Sequence, residues 1–330
     1  MQIEEFTADD TAVVDEVVEM VREIQQADSP WVHPATRTTF GGMLRHGWDG
    51  EAPRGFVARD DEGGRPVGVA LFWVSEWDNR DLAWLDVSVR PDARRRGVGT
   101  ALLEAMKALA RETGRTKIGA DGWDGEAALG FAARHGLERA SQAINRRQVL
   151  AEVDPDLVAK LYDEAARAAS GYELLRIVGP TPDDLIDDVV VMTAAINDAP
   201  TDDLDIEDEV FTAERVRGYE AAVAGKRQRI YHLVARHRAS GQLAGHTIVV
   251  VEEERPTIGH QHDTSVVREH RGHRLGLLLK AAMMQWLAEV EPQLESVDTW
   301  NAESNDHMIG VNEQLGYRVL GRGVQFQRTL

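Results

Sequence analysis

The chain of 330 residues predicts an α/β fold in which two copies of one domain follow each other. Three features indicate this: a motif that occurs twice, apolar strands arranged as hairpins before each motif, and an apolar helical stripe directly after it. Strands joined as hairpins pair antiparallel, whereas a strand that leads into a helix can pair in parallel. Each domain is therefore expected to contain a mixed sheet flanked by helices.

The first copy of the motif joins a β-branched strand, Val87–Val89, to a helix through a basic turn. The turn contains Arg94, Arg95, Arg96, Gly97, Val98, Gly99 and Thr100, and apolar positions at helical spacing follow it. The start of a helix offers unpaired backbone N–H groups and partial positive charge, both of which favour an anion. The turn therefore predicts a phosphate site.

The second copy of the motif spans residues 266–276, where Arg271 matches Arg94 and Gly276 matches Gly99. The same offset pairs Gly68 with Gly245, and several further matches follow in sequential order: Val57-Ala58-Arg59 with Val234-Ala235-Arg236, and Asp86 with Asp263. Such an ordered series indicates an internal repeat. We expect domains at 1–153 and 172–330, joined by a polar, alanine-rich linker helix at 154–171.

The elements before each motif are a helix and a hairpin. In the first copy, Asp9 or Asp10 is expected to cap a helix with an apolar stripe from Val13 to Ile24. The hairpins are read from pairs of apolar runs around a turn: 56–58 and 67–73 around Asp60–Gly64, and 231–235 and 247–251 around Ser240-Gly241.

Composition restricts the classes of function. The chain has no cysteine, which excludes disulfides and thiolate chemistry. Its net charge of −19 argues against nucleic acid as a partner and favours cationic ligands such as amines. There is no apolar run of about 20 residues to span a membrane. The N-terminal residues are unlike a signal peptide, so we expect a cytoplasmic protein.

The turn has the form Arg-x-x-Gly-x-Gly after a Val-x-Pro strand end, and it resembles the acetyl-CoA loop of the GCN5-related N-acetyltransferases (GNAT). This resemblance implies twisted sheets whose motif strand splays open to hold acetyl-CoA, with no metal. It assigns Val87 and Val89 to the pantetheine arm and Arg94, Arg95, Arg96, Gly97, Val98, Gly99 and Thr100 to the pyrophosphate. The corresponding residues of the second copy are Thr264, Val266, Arg271, Gly272, His273, Arg274 and Gly276, together with Asn305 and Asn312.

The second loop departs from the pattern, because Arg274 stands where the first glycine is expected. Arg274 can still donate its backbone N–H if its φ is negative, and its guanidinium suits a phosphate. Its side chain can equally block the pocket. The first copy therefore has the better cofactor loop.

For the catalytic base, the resemblance implies a carboxylate or histidine on the motif strand. His260 aligns with the family's glutamate position, where the first copy has Ala83, and His262 is expected on the same strand face, with Gln261 and Asp263 opposite. A histidine can act as a base near neutral pH. The alternative is a half-exposed strand histidine without a role. In the first copy only Asp86 and Glu76 are comparable, and both are interpreted as surface groups.

The acid that protonates the leaving thiolate is a tyrosine in the resembled family. Asn312 takes that position in the second copy and Ala132 takes it in the first. Tyr317 is a candidate substitute, although the family has a core phenylalanine there. Because CoA thiolate is a fairly good leaving group, a missing acid would slow the reaction without preventing it.

The densest acidic run, Asp202–Glu209, falls between the early helices of the second copy. It is either a solvated loop or an attractor for a polyamine, aminoglycoside or basic peptide. The favoured function is an N-acetyltransferase that passes acetyl directly to a primary amine in a ternary complex. We expect the second copy to be catalytic, through His260, His262, Asp263 and Tyr317. The alternative is a degenerate module that binds CoA for a structural or sensing purpose.

Overall fold

The computed structural model describes residues 1–61 and 64–330; Glu62 and Gly63 of the first expected hairpin turn lie outside the described residues. The chain divides into two compact units. Unit 1 contains residues 1–142, 202–208 and 321–330, and unit 2 contains residues 143–201 and 209–320. The boundaries 1–153, 154–171 and 172–330 stay a prediction about the sequence repeat.

Unit 1 is a mixed sheet with helices packed on it. Its elements are β1 (Gln2–Phe6), α1 (Thr11–Asp28), α2 (Arg37–His46), β2 (Arg54–Arg59), β3 (Pro66–Trp73), β4 (Leu82–Val89), α3 (Val98–Glu112), β5 (Lys117–Trp123) and α4 (Glu126–His135). The first four strands form an antiparallel meander, and β4 pairs in parallel with β5. This is the mixed sheet that the hairpins and the motif helix predict.

The elements that follow repeat this order. They are β6 (Glu138–Val149), α5 (Pro155–Ala168), β7 (Tyr172–Val178), α6 (Ile186–Thr193), α7 (Ala213–Gly225), β8 (Gln228–His237), β9 (Leu243–Glu252), β10 (Ile258–Val266), α8 (Leu275–Val290), β11 (Ser296–Ala302), α9 (Asp306–Gln314) and β12 (Arg318–Thr329). Strands β7 to β10 form an antiparallel meander, and β10 pairs in parallel with β11. Gly68 pairs with Val89 as Gly245 pairs with Val266, so the registers before the motif agree.

The last strand of each unit comes from the other half of the chain. In unit 2, residues 143–149 of β6 pair antiparallel with β11. In unit 1, residues 323–329 of β12 pair antiparallel with β5. Each sheet is thus completed by a strand that lies at the end of the opposite sequence repeat.

Apolar residues on the two faces of each sheet form the cores. In unit 1, the amphipathic helix α3 covers one face with Leu102, Leu103 and Met106, and α1 covers the other with Val14 and Val17. In unit 2, the linker helix α5 packs with α8 in one such core.

One expectation about the first helix is corrected. Asp10 stands at its N-terminus, but its carboxylate accepts hydrogen bonds from the backbone N–H and the hydroxyl of Thr7 and does not cap the helix. The strand-to-helix turn therefore uses the aspartate before the helix begins. Among the described residues, no helix combines the length and hydropathy needed to cross a membrane.

Candidate functional site

The two motif strands separate from their parallel neighbours partway along. In unit 1, β4 pairs with β5 from Leu82 to Leu85, and the pairing ends there. In unit 2, β10 pairs with β11 only from Ile258 to His260. Beyond these points the edge of each motif strand that faces its parallel neighbour has no strand partner among the described residues. This is the opening that the resemblance implies for a pantetheine arm along Val87 and Val89 or along Thr264 and Val266.

The loops after the two motif strands have the same backbone shape. Each contains two residues in the left-handed region, two positions apart: Arg95 and Gly97 in unit 1, and Gly272 and Arg274 in unit 2. Glycine and arginine have exchanged places between the copies. The φ of Arg274 is +58°, so the condition of a negative φ, under which its backbone N–H is expected to donate, is not met.

The helices that follow present their first amides toward the loop. The first helical hydrogen bond of α3 runs from Ala101 N–H to Gly97 O, and that of α8 from Leu278 N–H to Arg274 O. The amides of Val98, Gly99 and Thr100 therefore precede the helical ladder, as do those of the first residues of α8. Such a helix start binds anions through its N–H groups and its partial positive charge.

The charges around the two loops differ. In unit 2, Arg271 forms an ion pair with Asp198 at 2.6 Å, and Arg274 pairs with Glu164 at 3.5 Å. In unit 1, Arg95 and Arg96 make no ion pair with any residue in the described ranges 1–61 and 64–330, and both are exposed. Arg94 pairs with Asp28 in unit 1 as Arg271 pairs with Asp198 in unit 2. The difference is that unit 1 has two further guanidinium groups, those of Arg95 and Arg96, to offer a phosphate.

Arg94 and Arg271 also connect the loop to the rest of their unit by hydrogen bonds. Arg94 donates to Val89 O at 3.0 Å and to Asp28 at the end of α1, and Arg271 makes the equivalent bond to Val266 O at 3.0 Å. His135, which the sequence did not single out, reaches Thr100 at 3.1 Å between Nε2 and Oγ1. These contacts fix the loop without using its amides.

Asp86 lies on β4 directly after the last residue paired with β5. It accepts a hydrogen bond from the indole N–H of Trp73 at 2.8 Å and keeps intermediate exposure. Burial raises the pKa of Asp86 to about 6, and the nearby charge of Asp121 adds to this rise. Asp86 is thus half-buried, unlike the freely solvated surface group predicted from the sequence, whereas the side chain of Glu76 is 62% exposed.

The motif strand of unit 2 contains an irregularity that unit 1 lacks. The register with β9 shifts by one residue between Gln261 and Thr264, which is a β-bulge. As a consequence His260 pairs with Val250, the position at which Trp84 pairs with Trp73 in unit 1. The register thus places His260 opposite Trp84 of the first copy, and the sequence alignment with Ala83 is corrected by one residue.

The bulge also interrupts the regular alternation of strand faces at His262 and Asp263, on which the expectation that they lie on opposite faces depends. His262 Nδ1 lies 2.5 Å from the hydroxyl of Tyr219 on α7. Burial raises the pKa of Tyr219, and the charge of Asp263 adds to this rise. Burial lowers the pKa of His262 well below its usual value and raises the pKa of Asp263 to about 6. His260 contacts Glu252 at 2.9 Å.

A small cavity lies between α8 and the sheet of unit 2, with space for about one water molecule. Its lining includes Gln148, Gln261, Lys280 and Tyr317. Tyr317 is 5% exposed and its ring lies 4.8 Å from the ammonium of Lys280, so this tyrosine occupies a core position. Burial raises the pKa of the Tyr317 hydroxyl, which makes it a weaker acid.

The two asparagines assigned to the cofactor have partners within unit 2. Asn305 accepts a hydrogen bond from Met308 N–H at 3.2 Å and caps α9. Asn312 is fully buried and donates to Asn301 at 2.7 Å. Both side chains therefore support the local structure. No group of three or more metal-ligating side chains occurs in the parts of the chain that the structure describes.

The acidic run belongs mainly to unit 1. Its acidic residues are exposed on an irregular segment, which agrees with the alternative of a solvated loop, and hydrogen bonds fix part of this segment. Glu207 and Asn79 exchange hydrogen bonds, with Glu207 N–H donating at 2.8 Å and Asn79 N–H donating at 2.9 Å. Asp205 pairs with Lys117 at 2.8 Å. Its charges are thus partly used to hold residues 202–208 on unit 1.

Comparison with known proteins shows two matched regions and a shared fold. The model of the acetyltransferase (GNAT) family matches residues 18–137 and 196–317. The chain is similar to a tandem GNAT protein from the clavulanic acid biosynthesis pathway, with 29% identity, a TM-score of 0.82, and coverage of 99% of this chain and 98% of that one. A comparison with curated proteins gave no match.

Two further solved structures share the fold. A GCN5-related N-acetyltransferase from Sphaerobacter thermophilus has 14% identity and a TM-score of 0.67, over 99% of this chain and 95% of that one. The N-myristoyltransferase of Saccharomyces cerevisiae, solved with bound myristoyl-CoA, has 12% identity and a TM-score of 0.62, over 99% and 80%. The tandem arrangement and the resemblance drawn from the motif are thereby confirmed.

Proposed function

Because this chain belongs to the GNAT acetyltransferase family, we propose that it is an N-acetyltransferase that moves acetyl from acetyl-CoA directly to a primary amine. We place the reaction in unit 1. The observation that carries this assignment is that Asp86 lies at the opening of the motif strand. The loop of the same unit contains Arg95 and Arg96, which form no ion pair among the described residues. A cosubstrate site and a candidate base thus occur together.

The residues of unit 1 fit CoA. Arg95 and Arg96 offer guanidinium groups to its phosphates, and the amides of Val98, Gly99 and Thr100 are available at the helix start. Gly97 has no atom within 4 Å of where a Cβ would stand, so its surroundings leave the loop backbone open to a ligand. The open edge of Val87 and Val89 offers backbone groups to the pantetheine arm. Bound acetyl-CoA supplies the acetyl group as an activated thioester.

Asp86 acts as the general base in this proposal. An amine attacks only after it has lost a proton, and a carboxylate near the acceptor can take that proton. With a pKa of about 6, Asp86 is ionised at neutral pH and holds a proton more firmly than an ordinary aspartate. Direct transfer in a ternary complex is consistent with the absence of cysteine from the chain.

A second candidate function applies to unit 2. Its loop arginines are paired with Asp198 and Glu164, and Arg274 occupies the left-handed position that glycine fills in unit 1. These features support a degenerate copy that serves the fold or binds CoA without turnover. The prediction that the second copy is catalytic, through His260, His262 and Asp263, remains the competing assignment.

The test is release of free CoA thiol with a panel of primary amines. Gly97→Trp is expected to abolish turnover, because a bulky side chain would fill the loop. The matched control is Gly272→Trp, which has a similar φ of +85° and similarly open surroundings in the loop of unit 2, and it is expected to retain turnover.

The same assay separates the alternatives. If His260→Ala and Gly272→Trp abolish turnover while Gly97→Trp retains it, catalysis belongs to unit 2. If no amine releases thiol although calorimetry shows CoA binding, the protein is a binding module and the proposed activity is wrong.

A further inference from the structure

Four tryptophans and two aspartates lie toward one face of the sheet in unit 1. They form what we call the tryptophan–aspartate surface: Trp31, Trp73, Trp84, Trp123, Asp86 and Asp121. Trp73 and Trp84 are register partners on β3 and β4, and Trp73 packs with the core under α1 and α2. On β5, Asp121 and Trp123 occupy alternate positions and therefore point to one face. The hydrogen bond from Trp84 Nε1 to Asp121 at 2.5 Å joins β4 to that face.

Two glycines allow the indole rings to lie against bare backbone. A Cβ on Gly119 would stand 2.2 Å from the ring of Trp84. A Cβ on Gly321 would stand 2.6 Å from the ring of Trp31 and 2.9 Å from that of Trp123. The rings of Trp31 and Trp123 meet edge to face, with centroids 5.3 Å apart. The indole rings therefore pack closely against Gly119 and Gly321, where any side chain would clash.

The two carboxylates of this surface have indole donors as partners and no cation. Asp86 accepts from Trp73, and Asp121 accepts from Trp84 and from the side chain of Gln325. Neither aspartate forms an ion pair within the described residues 1–61 and 64–330. Their charges disfavour one another, since Asp121 raises the pKa of Asp86. Both aspartates are at least partly accessible to solvent. A cation is the partner that this pair of carboxylates lacks.

The surface also contains an unused donor. The indole N–H of Trp31 is buried and has no hydrogen-bond acceptor in the described part of the chain. Leaving a buried donor unpaired is unfavourable. Because this N–H is enclosed by its neighbours, a ligand at the surface does not contact it. The two carboxylates and the indole rings are therefore the features that indicate a cation.

We propose that the tryptophan–aspartate surface binds the acceptor substrate, and that this acceptor is an organic ammonium ion with a small apolar body. Indole faces attract ammonium groups through their quadrupole, and the two carboxylates add direct charge attraction. The apolar body of the ligand would lie against the indoles. This inference rests on the proposed function in taking the bound ion to be the acceptor, and it places the amine beside Asp86.

Binding of butyltrimethylammonium to the full chain, without acetyl-CoA, tests the surface by calorimetry and tryptophan fluorescence. A quaternary ammonium cannot be acetylated, so its binding is independent of turnover. We expect it to bind more tightly than 1-butanol, a neutral molecule with the same butyl group. Trp84→Leu and Asp121→Asn are expected to weaken the binding about tenfold each. Trp84→Phe, which keeps an aromatic face, is expected to weaken it less.

The matched control is Trp300→Leu, which removes an exposed indole of unit 2 and is expected to leave the affinity unchanged. Equal affinity for 1-butanol and the cation would overturn the inference, as would unchanged cation binding in both Trp84→Leu and Asp121→Asn. Circular dichroism establishes that each variant is folded. If the cation binds as expected but no amine is acetylated, the proposed function fails alone. If amines are acetylated but cation binding is unchanged in Trp84→Leu and Asp121→Asn, only the present inference fails.

Discussion

Gly97 and Arg274 occupy the same left-handed position at the start of the motif helix in the two copies, with φ of +88° and +58°. Glycine adopts this conformation without steric cost, whereas other residues are disfavoured in it by about 1–2 kcal/mol. The other left-handed position of each loop shows the reverse assignment, arginine at Arg95 and glycine at Gly272. Each loop therefore retains one arginine in the left-handed region, at a different position in each copy.

Arg274→Gly is expected to stabilise the protein by about 1 kcal/mol, because it relieves the left-handed strain while losing only a half-exposed contact with Glu164. The reciprocal variant, Gly97→Ala, is expected to destabilise by a similar amount through backbone strain alone, since its Cβ would meet no atom within 4 Å. Thermal and urea unfolding measure both effects. A destabilised Arg274→Gly variant would show that the ion pair outweighs the strain.

Removing the side chains of Arg95 and Arg96 should weaken CoA binding in unit 1. We expect the double variant Arg95→Ala, Arg96→Ala to lower CoA affinity at least tenfold, because phosphate loses two charge-assisted donors. Calorimetric titration with CoA at low and moderate salt measures the loss. The matched double variant Arg271→Ala, Arg274→Ala removes arginines that already have carboxylate partners and is expected to change CoA affinity less. The opposite ranking would place the CoA site in unit 2.

Local patterns in the sequence were sufficient to predict the repeat, the hairpins and the two motif loops. The exchange of terminal strands was not predictable, because β6 and β12 have similar patterns and either could complete either sheet. The bulge at His262 and Asp263 was also not predictable from the sequence. Gly68 and Gly245 lie on the strands before the motif strand, so their offset is the same with or without an extra residue in β10.

The candidate site in unit 1 was missed for a related reason. Its tryptophans are spread from Trp31 to Trp123, and only the sheet register brings them to one face. One signal was present: six of the eight tryptophans of the chain lie before residue 153. The half-buried state of Asp86 was not predictable, because burial depends on residues far away in sequence. Asp121, whose charge adds to the rise of the Asp86 pKa, also lies far from it along the chain.

Lys280 is expected to make stability depend on pH. Its ammonium is buried on α8 with Gln261 Oε1 as acceptor at 3.1 Å, and burial lowers the pKa of Lys280 to about 7. Between about pH 7 and 10 the unfolded chain binds more protons than the folded one, so stability rises with pH across this range. The lowered pKa of Lys280 reduces the free energy of unfolding by about 5 kcal/mol below pH 7, since each pKa unit corresponds to about 1.4 kcal/mol.

Lys280→Met should therefore raise stability at pH 7 and flatten its increase toward pH 10. The net gain is expected to be about 2 kcal/mol, because Gln261 loses a donor. Denaturant unfolding at several pH values measures it. Lys107→Met is the matched control, since the ammonium of Lys107 bonds Glu104 at 2.8 Å on α3 and its removal is not expected to give that gain. An unchanged pH slope in Lys280→Met would contradict the assignment.

Asp86 should set the acidic limit of activity. Because burial raises its pKa to about 6, Asp86 becomes protonated as the pH falls through that value and can no longer accept a proton from the amine. Activity is therefore expected to rise with pH around 6 and then level off. Asp86→Asn is expected to lower kcat about 100-fold or more and to abolish this limb of the profile.

The rate profile of Asp263→Asn provides the decisive comparison, since burial raises the pKa of Asp263 to the same value of about 6 at the equivalent position of unit 2. Wild-type titration alone cannot distinguish the two aspartates, but the variants can. If Asp86→Asn loses the limb while Asp263→Asn retains it, the base is Asp86 and catalysis belongs to unit 1. If the limb disappears only in Asp263→Asn, the bulge of unit 2 holds the base and our assignment to unit 1 is wrong.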